Sequence, residues 1–540
     1  MPAFDVRSKR LDHLGIVAGI CHRIGLINEI DQRIPTKRQV SVGQATQSMI
    51  LNGLGFTGRA MYLTPEFFEE KPLERLIGPG IGAEDLNDDC LGRTLDDLHA
   101  FGLTEIFADI AAKACAEFGI KKSAGHLDSS SFSFSGKYEK DFDENTVKIT
   151  YGWSKDGCPD LKQVIVLLLC HYKSNIPMWF KGVSGNTSDK ISFGQSIEQF
   201  SEQLMAAPIP YVTIYDSAGY TAANIQKSQG KTYFLARVPA TITEVQDLYA
   251  GANLSAMQKT SDPRYSYTEH QMTYADIKQR WLLVHSTESA EASVKTLQKK
   301  VDAERKRLEV ALAKQSQVLY DCDMDALSAM EVFAKPWTFH HVSQFEVIEH
   351  KKHLSRGRPK KDAPARIQYS VNAQITPNEE AYRREYQKSG LFVLATDAPD
   401  SRLSAIEMLE DYKSQGSSVE RGFRFLKDPT FFANGLYFHN PKRVVTMLMV
   451  MTLCLLVYAL AEHHLRAQLK THNEFVPDQT KKPTQKITMR RVFQMFEGIE
   501  VLFLKLDGKH HTQVANLKPV HLQILRLLGP HCQMIYGLSS

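Results

Sequence analysis

The order of apolar segments between residues 121 and 240 limits the fold more than any other feature of this sequence. Three short strand patterns come first, and their sequences are SAGHLDSSSFSFSG, QVIVLLLCHY and IPMWFKGV. A helix, a strand, a short helix and a strand follow, with the sequences SFGQSIEQFSEQLMAA, PYVTIYD, TAANIQKS and TYFLARV. Apolar runs bounded by turn residues favour buried strands, and apolar residues three and four apart favour a helix. This order predicts an α/β fold built on a mixed sheet.

The segments outside this range divide into four further parts. Residues 1–120 carry apolar residues at helical spacing and no strand pattern, which predicts a helical N-terminal domain. This domain is either a plain helical bundle or a unit that recognises DNA ends. Strand patterns and a long charged helix over 241–389 predict an α+β insertion domain, and the core pattern returns over 390–470. A polar linker and a small C-terminal unit occupy 471–540.

The composition says more about the cell compartment of the protein than about its binding partner. Lys and Arg number 65 against 61 Asp and Glu, so the net charge of +4 gives little indication of a nucleic-acid partner. The eight cysteines form no C-x-x-C pair, which favours reduced thiols over disulfides or a structural zinc site. The first residues lack the apolar stretch of a secretory signal, so a cytoplasmic protein is expected.

The segment Val444–Ala461 is nearly long and apolar enough to cross a bilayer. It stands alone in the sequence and contains polar side chains, so we interpret it as a helix buried in a large core and expect no membrane partner. A single membrane anchor stays open as the alternative, because short apolar runs separate core helices from membrane helices poorly.

Three carboxylates of the predicted core lie at positions where they could form one metal site. Asp128 lies in the first strand, Asp216 ends the fourth strand, and Glu420 lies on a helix after the insertion. First and fourth strands can be neighbours in such a sheet, and a helix on one face can add a third ligand. Phosphodiester cleavage with two metal ions needs carboxylates that converge where the ions lie about 3.5–4 Å apart. For any one of them, a helix cap or a solvated turn is the ordinary alternative.

Cationic side chains follow Glu420 on the same helix. Arg424 and Lys427 stand four and seven residues later, on or beside one helix face, and Arg421 is adjacent. They are predicted to hold DNA phosphates over the metal ions. The alternative for Arg424 is a surface salt bridge with Glu420, which contributes little stability.

A second basic motif, RGRPKK, lies inside the insertion and consists of Arg356, Gly357, Arg358, Pro359, Lys360 and Lys361. The Arg-Gly-Arg-Pro sequence resembles the core of an AT-hook, in which two arginines enter a narrow A·T minor groove. The alternative is a solvated basic loop that contacts phosphates without specificity.

Four separated motifs, in this order, resemble the DDE transposases of bacterial insertion sequences. They are HLDSSSFSFSGKY, YGWSKDGCPDLKQ, IYDSAGY and YKSQGSSVERGFRFLKDP, and the resemblance covers about residues 121–465. It implies an RNase H-like catalytic core with a large insert between the second Asp and the Glu. By position, Asp128, Asp216 and Glu420 correspond to the catalytic triad, which binds two Mg²⁺ or Mn²⁺ ions.

The same resemblance implies contacts and partners. The family's Glu helix carries a Tyr and an Arg before the Glu and a Lys seven residues after it. Lys427 matches that Lys and is expected to contact the DNA end. Tyr412 stands eight residues before Glu420 instead of seven, and Gln415 occupies the approximate place of the Arg. Double-stranded element ends and target DNA, a homodimer on DNA and a nucleoid-associated place in the bacterial cytoplasm are further expectations.

The sequence therefore predicts a metal-dependent transposase. Two alternatives stay open, namely a DNA-binding protein that keeps the fold without activity and a nuclease that cuts DNA without joining it.

Overall fold

The computed structural model describes residues 5–56, 63–121, 123–138, 146–204, 211–353, 365–428, 440–506 and 509–538. The chain divides into two compact units. Unit 1 comprises Met1–Ala236, Thr273–Gln279 and Thr396–Ser540, and unit 2 comprises Arg237–Met272 and Arg280–Ala395.

The described residues form strands and helices throughout the chain. The strands are β1 (Asp5–Arg10), β2 (Ala124–Phe134), β3 (Lys162–His171), β4 (Pro177–Ser184), β5 (Val212–Tyr215), β6 (Tyr233–Arg237), β7 (Gln258–Lys259), β8 (Tyr265–Tyr274), β9 (Ile277–Ser286), β10 (His340–His353), β11 (Ala365–Pro377), β12 (Leu391–Thr396), β13 (Val476–Pro477), β14 (Pro483–Thr484), β15 (Glu500–Leu506) and β16 (Lys509–Ala515). The helices are α1 (Leu14–Arg23), α2 (Leu26–Arg33), α3 (Val42–Leu54), α4 (Thr64–Glu69), α5 (Leu73–Leu76), α6 (Asp88–Phe101), α7 (Leu103–Glu117), α8 (Asp189–Leu204), α9 (Ala222–Ser228), α10 (Thr243–Ala250), α11 (Thr287–Gln315), α12 (Asp323–Ala334), α13 (Glu379–Gln387), α14 (Ala405–Lys413), α15 (Val419–Leu426), α16 (Pro441–Thr471), α17 (Met489–Met495), α18 (Pro519–Leu528) and α19 (Pro530–Ile535).

Unit 1 contains a mixed sheet in the order β4-β3-β2-β5-β6. The first three strands of the chain segment are antiparallel neighbours, and β5 and β6 add in parallel beside β2. The prediction of an α/β fold on a mixed sheet is confirmed, as are the five predicted strands and the two helices between them. Strand β3, between β4 and β2, is buried along nearly its whole length, which explains its uninterrupted apolar sequence.

The apolar run of the sequence lies inside α16, at the centre of unit 1. By length and composition this helix is able to cross a membrane, yet 94% of its most apolar window is buried within the protein. It packs against α3, α6, α7, α18 and β4. Because neighbours surround the helix, apolar residues occupy all of its faces, and the arrangement favours the interpretation as a core helix.

The N-terminal region is mainly helical, as predicted, but the absence of a strand there is a wrong prediction. Strand β1 pairs antiparallel with β15, which also pairs with β16. The register sets Asp5 opposite Lys505 and Arg10 opposite Glu500, so opposite charges are paired at the Arg10 end. A charged strand of this kind has no apolar alternation, and its partner is far away in the sequence.

Unit 2 contains strands in the order β12-β9-β8-β7 and a separate hairpin of β10 and β11. Helix α11 corresponds to the long charged helix that the sequence predicted for this region. A small core joins this helix to α12 and the hairpin, and its members are Leu308, Leu312, Ala326, Met330, Val342 and Val371. The hairpin was not predicted, because its strands are rich in charged and polar residues.

A buried carboxylate connects three helices of unit 1. Glu462 of α16 is 3% exposed and accepts hydrogen bonds from Arg421 of α15 at 2.7 Å and from the backbone N–H of Met489 in α17 at 3.1 Å. Arg466, one turn later on α16, lies 3.0 Å from the same carboxylate. Glu462 therefore neutralises an arginine on α15 and another on α16, and it accepts a hydrogen bond from the backbone of α17.

We expect the substitution Glu462→Ala to lower the free energy of unfolding by about 3 kcal/mol, because it leaves two arginines without their buried counter-charge. Urea denaturation measures this change. The control is Glu198→Ala, which removes a surface partner of Lys227 (3.1 Å) and is expected to change the free energy by less than about 1 kcal/mol. Equal effects of the two substitutions would contradict the structural role of Glu462.

Candidate active site

The register between β2 and β5 brings Asp128 and Asp216 to neighbouring positions. Ala124 lies opposite Val212, and His126 lies opposite Ile214. Continued by two residues, this register brings Asp128 of β2 level with Asp216, which directly follows the last residue of β5. Parallel strands lie about 4.8 Å apart, and residues two apart point to the same face. On this count both half-buried carboxylates belong to one face of the sheet, at the carboxyl end of β5.

Backbone hydrogen bonds orient the two aspartates. The Asp128 Oδ1 accepts from the N–H of Ser129 at 2.7 Å, and the Asp216 Oδ1 accepts from the N–H of Ala218 at 2.9 Å. The carbonyl of Asp216 accepts from the N–H of Gly219, which closes a tight turn after β5. A carboxylate with one oxygen held by the backbone has a restricted rotamer, as a positioned ligand requires.

The face of β2 that carries Asp128 is covered by the segment from α14 to α15. His126, two residues before Asp128, makes a 2.9 Å hydrogen bond with the hydroxyl of Ser414. Phe132, four residues after Asp128, lies under the ammonium group of Lys427 at 5.4 Å. Because His126, Asp128 and Phe132 share one face of the strand, Asp128 lies between two contacts with this segment.

Glu420 lies in the first turn of α15, which packs against β2 and β3. The hydroxyl of Ser418, just before the helix, donates to the carbonyl of His171 at the end of β3 (2.9 Å). Gly422 faces inward, where a Cβ would lie 3.2 Å from Leu455 of α16. The inner residues of α15 are buried and Glu420 is exposed, so its carboxylate is available to solvent and substrate.

The donor set fits hard divalent cations by its chemistry. Three carboxylates are the oxygen ligands that Mg²⁺ and Mn²⁺ prefer. Within the part of the chain that the structure describes, no group of three or more His, Cys, Asp or Glu side chains is close enough to hold a metal ion. Strand register and helix packing bring the elements of Asp128, Asp216 and Glu420 together, and convergence of the three side chains on metal ions stays a prediction.

The predicted DNA-contacting residues differ in their surroundings. Lys427 bonds both carboxylate oxygens of Asp156, at 2.6 and 2.7 Å, and Arg424 is exposed and donates to the carbonyl of Gly416 at 3.2 Å. Arg421 is engaged by the buried Glu462, so its charge is compensated inside the fold. Tyr412 is half-buried on α14. DNA contacts by these residues stay predictions.

The RGRPKK motif, Arg356–Lys361, lies outside the described residues, in the connection between β10 and β11. The two strands pair up to His353 and Ala365, on either side of this connection. The predicted minor-groove contact is therefore not tested by the structure.

Sequence reasoning gave no role to Lys155 and Asp156, although both lie in one of the motifs that carry the resemblance. The Lys155 ammonium donates to the carbonyl and the hydroxyl of Ser129 at 2.9 and 2.7 Å. Its backbone N–H donates to the hydroxyl of Ser131 at 3.1 Å. This segment therefore lies along β2 beside Asp128, and Asp156 joins it to α15 through Lys427. The sequence feature that could have identified Lys155 and Asp156 is the motif YGWSKDGCPDLKQ, which contains both.

Comparison with known proteins finds one family model and similar solved structures. A family model described as a domain of unknown function (DUF4277) matches residues 6–112, less than half of the chain. A comparison with curated proteins finds no match. Among solved structures, the chain is similar to the cryo-EM structure of the piggyBac transposase synaptic complex with hairpin DNA, at 8% identity and a TM-score of 0.36. That similarity covers 89% of this chain and 80% of the other, and it is too weak to support an argument.

Burial keeps His126 neutral beside the candidate site. Removal of the imidazole from water lowers the pKa of His126 from 6.5 to about 3. The ring is fully buried and hydrogen-bonded to Ser414. These observations favour a packing role for His126, which positions the segment that precedes α15.

A different carboxyl group, Asp397, shows a raised pKa. Burial raises the pKa of Asp397 from 3.8 to about 6, although its Oδ1 accepts a 2.9 Å hydrogen bond from the N–H of Phe234. Phe234 lies near the beginning of β6, whereas Asp216 follows the end of the parallel strand β5. Asp397 is therefore not part of the candidate site.

Asp397 makes stability depend on pH. The folded chain binds this proton more tightly than the unfolded chain, so the contribution to stability is present below pH 4 and is lost as the pH rises through about 6. In the parent protein the free energy of unfolding is expected to fall by roughly 3 kcal/mol between pH 4 and pH 7 because of Asp397, and Asp397→Asn is expected to remove this fall. Denaturant titrations across this range measure the difference from the parent protein. The exposed Asp247→Asn serves as control, and a parental pH slope in Asp397→Asn would contradict the assignment.

Proposed function

We propose that the protein is a DDE-type DNA transposase, a metal-dependent polynucleotidyl transferase that cuts and rejoins the ends of an insertion sequence. The observation that carries this proposal is the parallel register of β2 and β5, whose continuation by two residues brings Asp128 level with Asp216, together with the packing of α15, which carries Glu420, against β2. The four sequence motifs support it, because each contributes a residue or segment to this same region. The mixed sheet of unit 1 supports the RNase H-like form of the core.

In this proposal Asp128 and Asp216 hold two divalent cations, Mg²⁺ or Mn²⁺, and Glu420 completes the second site. When bound, the ions activate a water molecule for attack on the scissile phosphate and stabilise the leaving oxygen. The residues of the chain orient these ligands. The backbone N–H groups of Ser129 and Ala218 fix the two aspartates, and Ser418 fixes the beginning of the Glu420 helix.

Arg424 and Lys427 follow Glu420 within α15 and just after its end, and we propose that they hold DNA phosphates above the carboxylates. Arg356–Lys361 would grip the minor groove of the bound DNA, and Tyr412 is proposed as a further contact. Two element ends must be cut together, so we propose a homodimer in the DNA complex. The proposed location is the nucleoid of a bacterial cytoplasm.

Two other functions use the same fold, namely a nuclease without joining activity and a DNA-binding protein without activity. Both lack strand transfer, and the second also lacks cleavage. An assay that scores nicking and joining separately distinguishes the three.

The substitutions Asp128→Asn, Asp216→Asn and Glu420→Gln are each expected to lower the cleavage rate by more than about 100-fold. Loss of residues that only orient metal ligands costs 10- to 100-fold, and loss of a ligand itself costs more. The assay uses supercoiled plasmid that carries the DNA flanking the gene, with Mg²⁺ or Mn²⁺, and follows nicking and strand transfer.

The matched control is Asp397→Asn, another aspartate that follows a strand, which is expected to cleave at the parental rate at neutral pH. Circular dichroism confirms folding of each variant. Parental cleavage by Asp216→Asn would show that the site is assigned wrongly, and cleavage without joining by the parent protein would favour the nuclease.

Lys427→Ala is expected to weaken DNA binding about equally for all sequences and to lower the dependence of log K on log salt by about 1, because one phosphate contact is lost. Asp156→Asn is the opposing variant. It removes the carboxylate that bonds Lys427 and is expected to tighten binding at low salt. Fluorescence anisotropy over a salt series measures both, and an unchanged slope in Lys427→Ala would exclude the contact.

A further inference from the structure

The most exposed large apolar side chain of the described residues lies close to the candidate active site. Trp153 is 89% exposed, and Tyr151, two residues earlier, is 56% exposed. The other tryptophans are buried or half-buried. Exposing a tryptophan of this size to water is unfavourable unless a partner covers it during function.

The backbone that presents these rings is firmly held. Gln163 of β3 is fully buried, and its side-chain amide donates to the carbonyl of Trp153 at 3.1 Å and to that of Gly185 at 2.8 Å. The backbone of Gln163 also exchanges two hydrogen bonds with Thr150. The segment is therefore fixed to the sheet on both sides of Tyr151.

A glycine between the two aromatic residues determines which way they face. A Cβ on Gly152 would lie 2.0 Å from the carbonyl oxygen of Gly185, so only glycine fits this close approach. Gly152 therefore faces the sheet, while the exposure of Tyr151 and Trp153 shows that their rings face solvent. We refer to Tyr151 and Trp153 as the aromatic pair.

The aromatic pair is connected to the candidate active site by a short stretch of chain. Two residues after Trp153, Lys155 bonds the hydroxyl and carbonyl of Ser129, the neighbour of Asp128. The next residue, Asp156, bonds Lys427 of the Glu420 helix. The pair therefore stands at the margin of the region where Asp128 lies.

The charges around the pair suit a phosphate backbone. Lys148 and Lys155 are exposed, and the ammonium of Lys162 lies 5.8 Å from the centre of the Tyr151 ring. Lysines interleaved with exposed aromatic rings are the chemistry with which proteins bind single-stranded nucleic acid, since the rings stack on bases and the cations contact phosphates.

We propose that the aromatic pair is a stacking platform for an unpaired DNA base next to the cleaved phosphate. Trp153 provides the main stacking surface, and Tyr151 extends it. This inference rests on the proposed transposase function and adds to it a residue that selects unpaired over paired DNA at the margin of the active site.

The test uses the full chain with the background substitution Asp216→Asn, so that DNA is bound without being cut. The two probes are a duplex with a short single-stranded end, which carries 2-aminopurine in that end, and the same duplex fully paired. Trp153→Ala is expected to bind the first probe about 10-fold more weakly, equivalent to about 1.4 kcal/mol. Its affinity for the fully paired probe is expected to change by less than about 2-fold.

Two control variants separate stacking from loss of structure. Trp153→Phe keeps a ring and is expected to retain most of the affinity and of the 2-aminopurine quenching. Phe475→Ala removes another exposed ring (48%) elsewhere in unit 1 and is expected to bind both probes as the parent does. Thermal melting followed by circular dichroism compares the stability of the variants.

Equal binding of both probes by Trp153→Ala and the parent protein would overturn the inference, as would an equal loss for both probes. Dissociation of an oligomer by Trp153→Ala in size-exclusion chromatography would also overturn it, because the pair would then be a contact between copies of the chain. If the parent protein cleaves DNA but Trp153→Ala binds both probes normally, only the stacking inference is wrong. If the single-stranded probe alone is quenched but the parent protein cleaves no DNA, the transposase function is wrong instead.

Discussion

The parallel pairing of β2 with β5 is the interaction on which the candidate site depends. Continued by two residues, the observed register brings Asp128 level with Asp216, whereas a shift by one residue would turn one carboxylate to the opposite face of the sheet. Burial of His126 and Ile214 at the paired positions holds that register. The geometry proposed for catalysis is therefore a result of core packing, and substitutions in this core are expected to act on the site.

The helix that carries Glu420 is held from two sides. Ser418 attaches its beginning to the end of β3, and Arg421 attaches its middle to the buried Glu462 of α16. Asp156 bonds Lys427 where the helix ends. An exposed acidic residue on so short a helix is positioned by these three contacts, since eight residues form too few internal hydrogen bonds to be stable alone.

The sequence predicted elements whose pattern is local. The apolar run of β3, the buried helix α16 and the charged helix α11 were found because burial or helical spacing is visible within each segment. Strand β1 and the β10–β11 hairpin were missed, because their polar sequences become strands through pairing. For the site, residue order indicated Asp128, Asp216 and Glu420, but the engagement of Arg421 by Glu462 joins separate helices and has no local signal.

The pairing of β1 with β15 has a consequence for synthesis of the chain. Asp5 pairs with Lys505, and α1 packs against α19, so these elements have partners about 500 residues later in the chain. Until those later residues emerge from the ribosome, the side of α1 that packs on α19 and the edge of β1 lack these native partners. Contacts this distant in sequence slow folding, so this region of a nascent chain stays vulnerable to proteolysis until residues 500–535 have been synthesised.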